Sequence, residues 1–508
     1  MLRDRSPVHG LERRRLGAPD VLAQSVSGAA PSAAMAATPV IVAASAGGAT
    51  VWSFVVATVL ALLIASCIAR FTRRMAAPGG LYPLTAKGLA PGAALACGIA
   101  LLTGYGLLAA AALAGVASYA DALLSRVGAT DGRWVPAAVA VLVGGGVAVL
   151  ALHGVRLAAR VVLLVESVAI TVLVVVFALL LAGGPIPGPG SGEPAAGPGG
   201  VVAGVLPALA AFIGFEIATT LGAEARRPFR TVPRAVGITA AVAGVLYLFA
   251  AHVQVVGFAD TPGGLAGQSE PVLVLATTRG WSWVPVVLDL GLIMSFFACA
   301  LATTSALVRV LFSLSRDGVA PAALGRTHRR FHTPHVALAV AVPVVVAALV
   351  VPVAAGLPLG GVLVTLLTLA TSGFLVAYLL VCVAAPVFLR RIGELTWPAV
   401  AASAVIAPIL VAALVAFLVS RPVSALVLAG VGVLGVGWWA GLRTRRPAVL
   451  AGIGVYDETV AADVAGRRVA SDTGGSRVGD ATGSGAATDL EGHRDAVGRR
   501  TPGRGSGR

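Results

Sequence analysis

FIGFEIATTLGAEARRPFRTVPR, residues 212–234, decides the fold. An apolar helix carries Gly214 and Glu216 near its middle, then runs into Arg226, Arg227, Arg230 and Arg234 with Pro228 and Pro233 among them. A carboxylate in the hydrocarbon core costs about 2.5–3.5 kcal/mol on insertion scales, so one that is kept there has partners or a task. The surrounding chain supplies the membrane context. It has 508 residues, 57% hydrophobic and only 12% charged, a balance foreign to soluble domains of this size. Residues 51–69 carry no charge at all, close to the ~20 apolar residues that a helical span needs.

Twelve candidate spans follow from the apolar runs, at roughly 20–43, 51–69, 92–120, 134–153, 161–182, 201–223, 235–257, 284–310, 335–355, 361–388, 398–419 and 423–442. The expected organisation is a cytoplasmic segment over 1–19, a twelve-helix domain over 20–444 and a disordered cytoplasmic tail over 445–508. The tail is rich in Gly and mixed charge and poor in aromatics, so it cannot bury a core. The Gly/Pro-rich stretch at 183–200 reads as a flexible outer connector. The first twenty residues are polar and Arg-rich, so no cleavable signal peptide is expected and the first spans direct insertion.

Loop charges set the orientation. One set of loops carries Arg70, Arg73, Arg74 and Lys87, then Arg156 and Arg160, the four arginines of 226–234, then Arg316, Arg326, Arg329 and Arg330, then Arg390 and Arg391. The alternate set carries Arg126, Arg133, Arg279 and Arg421. The first set is expected in the cytoplasm, with both termini inside. The net charge of +15 is spread over these short loops without interleaved aromatics, which argues against a nucleic-acid partner. Cys67, Cys97, Cys299 and Cys382 lie in apolar runs at spacings that fit neither a zinc site nor a disulfide framework, and read as small buried residues.

Two spans look interrupted. The first, VLAQSVSGAAPSAAMAATP at 21–39, has Gly28 and Pro31 in mid-span among Ser25, Ser27 and Ser32. Ser27 lies about 10–13 Å in from Asp20 at ~1.5 Å per residue, near the midplane. The sixth has Pro207, Gly214 and Glu216. Interrupted helices five spans apart suggest an inverted-repeat transporter. A break frees N–H groups that hold an anion and carbonyls that hold a cation or ammonium group, and a zwitterionic amino acid needs both. The plainer alternative is that Gly and Pro mark packing points or kinks.

Three stretches resemble the amino acid–polyamine–organocation (APC) superfamily of transporters. They are GFEIATTLGAEARRPFRTVPRAV at 214–236, SALVRVLFSLSRDGVAPAALGRTHRRFHTPHVAL at 305–338, with its Arg-x-x-x-x-Leu-x-Arg-Asp-Gly run, and APGGLYPLTAKGLAPGAALACGIALLTGYGL at 77–107. In the first span the family's Gly-x-Gly-type break is replaced by SVSGAAPSAA. The resemblance implies an all-α integral membrane protein with a LeuT-like five-plus-five inverted repeat, broken helices 1 and 6 and alternating access around a midplane site.

By position in that resemblance, Ser27, Gly28 and Ala29 would offer backbone N–H to a substrate carboxylate. Phe212, Ile213 and Gly214 would offer carbonyls to its amino group, and Phe215 is a candidate gate, with plain packing as the alternative. Glu166, in LLVESVAI, stands near a place where some members hold a coupling Lys; a membrane-embedded carboxylate that gains and loses a proton is a natural coupling element. Its alternative is a helix-end pair with Arg156 or Arg160. Glu216 is expected to have a structural or gating role. Thr303 and Thr304, with Thr371 and Ser372, are candidates for lining an ion or substrate site, though hydroxyls often satisfy membrane-helix backbone. Glu224, Arg226, Arg227, Arg309, Arg316 and Asp317 are expected to form ion pairs of a cytoplasmic gate.

No HExxH, Walker A, GxSxG or metal-ligand cluster is present in the sequence, so neither an enzyme, a cofactor nor ATP drive is expected. The function expected is secondary transport of an amino acid across the plasma membrane, coupled to protons or, second, to sodium. A polyamine or other organic-amine carrier and an exchanger are the alternatives within transport. A nutrient sensor that binds without transporting is the alternative from another class.

Overall fold

The computed structural model of the chain describes residues 6, 8–126, 128, 134–186, 197–268, 270–454 and 456–457. The middle of the expected outer connector, 187–196, lies outside the described residues, as do 1–5 of the N-terminal segment and 458–508 of the tail.

The described residues form a helical assembly without a named strand. In chain order the helices are Ala18–Ala29 (α1), Pro31–Ala46 (α2), Thr50–Thr72 (α3), Leu81–Gly88 (α4), Pro91–Arg126 (α5), Val135–Leu152 (α6), Val155–Ala182 (α7) and Pro198–Ala210 (α8). They continue with Pro228–Gly257 (α9), Pro271–Thr278 (α10), Val284–Arg316 (α11), His335–Ala354 (α12), Leu359–Arg391 (α13), Trp397–Ser420 (α14), Pro422–Arg445 (α15) and Pro447–Ala451 (α16). Many begin on proline, whose fixed φ suits the first helical position and whose missing N–H is not needed there.

Ten helical stretches among the described residues are long and apolar enough to cross a membrane. The first, Ala18–Thr72, has 55 residues. As one straight rod it would measure roughly 80 Å at 1.5 Å per residue, against about 30 Å of hydrocarbon. It is divided at Ala30 and again at the 3₁₀ turn Gly47–Ala49. The apolar helix α8 has 13 residues and is followed by tight turns over 211–216 and the short 3₁₀ helix Ile217–Thr220. The sequence count of twelve groups this material differently, taking 20–43 and 51–69 as separate spans and 201–223 as one.

The chain is a multi-pass membrane protein, and its burial pattern shows how it meets the bilayer. α5 packs against α11 and α13 at the centre, while α3 packs against α8 and α9. At the periphery, α15 exposes Leu426, Val433, Leu434 and Val436 and buries only Ser424 and Leu442. Water would penalise that surface, whereas lipid does not.

Central helices approach closely because small residues line their contacts. A Cβ on Gly373 of α13 would lie 2.6 Å from the Ala100 carbonyl oxygen of α5. The four cysteines are buried and free.

At the arginine-rich end, residues 452–454 and 456–457 lie against the N-terminal segment and Asp317. Asp457 is buried between Arg13, whose Nη2 lies 2.6 Å from Oδ1, and Arg14 at 3.3 Å from Oδ2. Ser6 Oγ donates to the same carboxylate at 3.1 Å, and the Asp457 amide donates to the Ala76 carbonyl at 2.7 Å. Part of the segment expected to be featureless is therefore packed against the bundle.

The close contact of α5 and α13 gives a first prediction. Gly373→Leu drives a side chain into the α5 backbone and is expected to cost about 1–3 kcal/mol or more. Gly145→Leu, on an open face of α6 where an added Cβ meets nothing within 4 Å, is expected to be neutral. Thermal unfolding in detergent, followed by tryptophan fluorescence, compares the two.

Candidate functional site

The two interrupted segments lie against each other. α1 stops at Ala29 because Ala30 adopts the left-handed region, φ 44° and ψ 56°, with its amide turned back to the Ser27 carbonyl at 3.1 Å. Pro31 then restarts the chain as α2. In the sixth segment Gly214 has φ 101°, a conformation open to glycine and strained for other residues. Its flanking amides make i→i−3 bonds, among them Phe212 to Leu209 at 3.0 Å and Ile217 to Gly214 at 3.1 Å.

Gly28 and Gly214 form the point of contact. A Cβ on Gly28 would come within 2.9 Å of the Gly214 carbonyl oxygen, and one on Gly214 would meet the Gly28 carbonyl group and lie 3.0 Å from the Ala29 amide. Two side chains bind the breaks together. Ser25 Oγ donates to the Phe215 carbonyl. Tyr247 Oη on α9 is 2.9 Å from the Ala211 carbonyl and 3.4 Å from that of Ala29.

The break in the first segment sits two residues beyond Gly28. Ser27, Gly28 and Ala29 therefore occupy the last turn of α1, where amides bond to the preceding turn and carbonyls face the helix end. The Gly28 carbonyl accepts from Cys299 Sγ at 3.5 Å. In the first turn of α2, the Ser32 and Ala33 amides turn to the side chains of Glu166 and Ser295.

Glu166 of α7 is one of those partners. Its Oε1 receives Ser32 Oγ at 3.1 Å, the Ser32 amide at 3.4 Å and Ser295 Oγ of α11 at 3.1 Å. Its Oε2 is buried and has no hydrogen-bond partner among the described residues. The alternative pairing with the arginines of the preceding loop is not what forms: Arg156 reaches the Arg15 carbonyl at 2.9 Å, and Glu166 faces the helix break.

Glu216 is fully buried. Tyr105 Oη donates to its Oε1 at 2.9 Å, Tyr378 Oη donates to Oε2, and the Gly214 amide donates to Oε2 at 3.1 Å. The carboxylate holds the bend of its own segment and anchors it to α5 and α13. Phe212 and Phe215 are buried as well, Phe212 edge-on to Tyr247 at 5.0 Å and Phe215 tilted against Tyr378 at 5.7 Å between ring centroids. Ile213 is buried between them in sequence.

The threonines of α11 are buried inside the bundle. Thr303 Oγ1 donates to the Cys299 carbonyl one turn back at 2.6 Å, which satisfies its own helix. Thr304 is buried. In α13, Thr371 and Ser372 bond likewise to the Leu367 and Leu369 carbonyls.

At the arginine-rich end, Glu224 and Arg309 form a buried two-pronged pair, Nε to Oε1 at 2.9 Å and Nη2 to Oε2 at 3.1 Å. The fork matches the planar guanidinium to the carboxylate. The Glu224 carbonyl accepts the amides of Arg15 at 2.7 Å and Leu16 at 2.9 Å, so the N-terminal segment is laid across this pair. Arg316 and Asp317, expected in the same group, also contact neighbouring segments. Arg316 Nη2 donates to the His9 carbonyl at 3.0 Å, while Asp317 accepts from Tyr82 Oη at 2.6 Å and from the Gly454 amide at 3.0 Å. Arg226 and Arg227 are exposed.

Tyr105, Tyr247, Tyr378 and Ser295 join the site without having been singled out in the sequence. Their one visible signal is a phenol or hydroxyl inside an apolar run, where a buried O–H needs a partner.

These observations define a class: a helical membrane protein organised around two apposed backbone interruptions. The family model for amino acid permeases matches residues 20–434, and the chain belongs to that family. It is 29% identical over 141 residues to the branched-chain amino acid permease BcaP of Bacillus subtilis, covering 27% of this chain and 30% of that one. It is 28% identical over 150 residues to the vacuolar cationic amino acid transporter 4 of Arabidopsis thaliana, covering 30% and 24%. The match thus spans less than a third of either relative's length. A crystal structure of the Eremococcus coleocola manganese transporter superposes with a TM-score of 0.52 at 13% identity, over 85% of this chain and 95% of that one, a likeness of fold of the LeuT type.

The Glu224–Arg309 pair yields a second prediction. Glu224→Ala leaves a guanidinium buried without its countercharge and is expected to cost about 3–5 kcal/mol. Glu224→Leu combined with Arg309→Met removes both charges and is expected to recover most of that loss. A thermal-denaturation double-mutant cycle reads the difference, and equal stability of the single and double variants would refute a paired role.

Proposed function

We propose that the chain is a secondary active transporter that moves an amino acid across the plasma membrane by alternating access, with both termini in the cytoplasm. The proposed arrangement is twelve spans with a five-plus-five inverted repeat. The observation that carries this reading is the direct contact of the breaks at Ala30 and 211–216. Two half-helix ends and a stretch of irregular backbone meet there, which supports recognition of a zwitterion by main-chain groups. Membership of the amino acid permease family supports the same substrate class.

The carbonyls of Ser27–Ala29 and 212–214 are the groups at the break proposed to receive the substrate's amino group, while the Ser32 and Ala33 amides of α2 are engaged by Glu166 and Ser295. Phe215 serves as the gate in this reading. Both oxygens of Glu216 are already engaged by Tyr105, Tyr378 and the Gly214 amide. That occupancy disfavours a salt bridge to a cationic side chain and supports a neutral amino acid over a polyamine or basic one.

Glu166 is the proposed coupling group. Its neighbours are two hydroxyls and one amide, all neutral, and its Oε2 has no hydrogen-bond partner among the described residues. A buried carboxylate without countercharge is costly, so a proton, or second a sodium ion, accompanies it. Its contacts reach both α2 and α11, so a change at Glu166 alters how the first segment is held.

Uptake into proteoliposomes under an imposed pH gradient, then an imposed sodium gradient, tests the reading. Accumulation of leucine or alanine that follows the proton gradient and collapses with a protonophore is expected. Counterflow without gradient-driven accumulation would indicate an exchanger, and competition by arginine alone would overturn the neutral-substrate assignment. Glu166→Gln is expected to retain substrate binding and to lose pH-driven accumulation; unchanged accumulation would remove Glu166 from the coupling role.

A further inference from the structure

A cavity of about 660 Å³ opens at the arginine-rich end, away from the helix breaks. Its walls include Arg316 at the end of α11, Arg326 and Arg329 in the following loop, and His9, His328 and His335. No aspartate or glutamate is among its described lining residues. The tendency of arginine to stay on the cytoplasmic side explains basic loops, but it explains neither their convergence on a concavity nor the state of the groups inside it.

Two nitrogen atoms in this wall are buried without a hydrogen-bond partner among the described residues: Arg316 Nε and His335 Nδ1. Their burial puts both atoms behind the cavity surface, so they mark unsatisfied polarity within its wall rather than contacts to an occupant. The rest of Arg316 is fixed. Its Nη2 donates to the His9 carbonyl at 3.0 Å, and its guanidinium lies 4.9 Å from the Phe312 ring centroid. His328 Nδ1 accepts the Arg330 and Phe331 amides at 3.2 and 3.3 Å, which leaves its proton on Nε2 and makes it a donor. His335 is the first residue of the 20-residue α12, so the positive end of a helix adds to the same field.

We propose that this cavity binds a phosphate-bearing anion, held by the arginines and the donor His328. Planar guanidinium forks match phosphate oxygens, and the absence of lining carboxylates removes competition for them. The phosphate comes either from a soluble species or from the headgroup of an anionic lipid at the membrane surface. The site is independent of the transport reading.

The test uses the full-length protein. In one arm, inorganic phosphate and pyrophosphate are titrated in neutral detergent at ionic strength held constant with chloride. In the other, the protein is placed in nanodiscs of phosphatidylcholine with increasing phosphatidylglycerol. The thermal midpoint is the readout. A saturable rise is expected in at least one arm, and Arg326→Ala with Arg329→Ala, both exposed, is expected to raise the half-saturating concentration at least tenfold. Arg329→Glu alone is expected to show the same loss. Arg230→Ala with Arg234→Ala, exposed on α9 and outside the cavity, is expected to change nothing. Non-specific stabilisation by phosphate is unsaturable and common to every variant. A response to the soluble anions assigns a free phosphate, and one confined to phosphatidylglycerol assigns a headgroup. No saturable response in either arm, or equal losses in the cavity and control variants, overturns the proposal.

Discussion

The approach of Gly28 to Gly214 is the constraint on which the site depends. At that point two main chains meet with no side chain between them, and a Cβ on either residue would collide with the other's carbonyl. Everything nearby is arranged to tolerate the consequence, which is unpaired backbone at membrane depth. Irregular backbone is stable there only when protein groups replace the lost helical bonds. Ser25, Tyr247 and Glu216 supply those replacements from α1, α9 and the sixth segment itself, while Tyr105 and Tyr378 hold Glu216 from α5 and α13. The breaks are therefore pinned to the best-packed helices of the assembly.

The two buried glutamates divide the work by their surroundings. Glu216 has donors on both oxygens. Glu166 has three donors on one oxygen and none on the other among the described residues. The first arrangement is a closed set of hydrogen bonds; in the second one oxygen is unsatisfied among the described residues. A third, Glu224, is matched by Arg309 and lies buried under the N-terminal segment.

Much of this was legible in the sequence. The apolar runs mark the helices, Gly214 and Glu216 mark the sixth interruption, and Glu224 with Arg309 stand at the ends of the apolar stretches they close. The first interruption was legible only to within two residues. Gly28 is there for close approach and keeps a helical backbone, while the left-handed residue is Ala30, whose strain is sustained by tertiary contacts that no local pattern records. Tyr105, Tyr247, Tyr378 and Ser295 were hidden because each sits alone in an apolar run and gains its meaning from a partner dozens to hundreds of residues away. Asp457 was hidden for another reason: a composition averaged over 445–508 conceals one residue with a buried partner.

That last contact bears on how the protein is made. Arg13 and Asp457 are 444 residues apart. At about 5–20 residues per second of synthesis, the arginine waits on the order of 20–90 s for its partner to be added to the chain. The segment that crosses the Glu224–Arg309 pair is made well before this anchor, which follows the long helix α15 in the chain. The contact therefore closes only after α15 has been synthesised, and the arginine-rich face is without it until then.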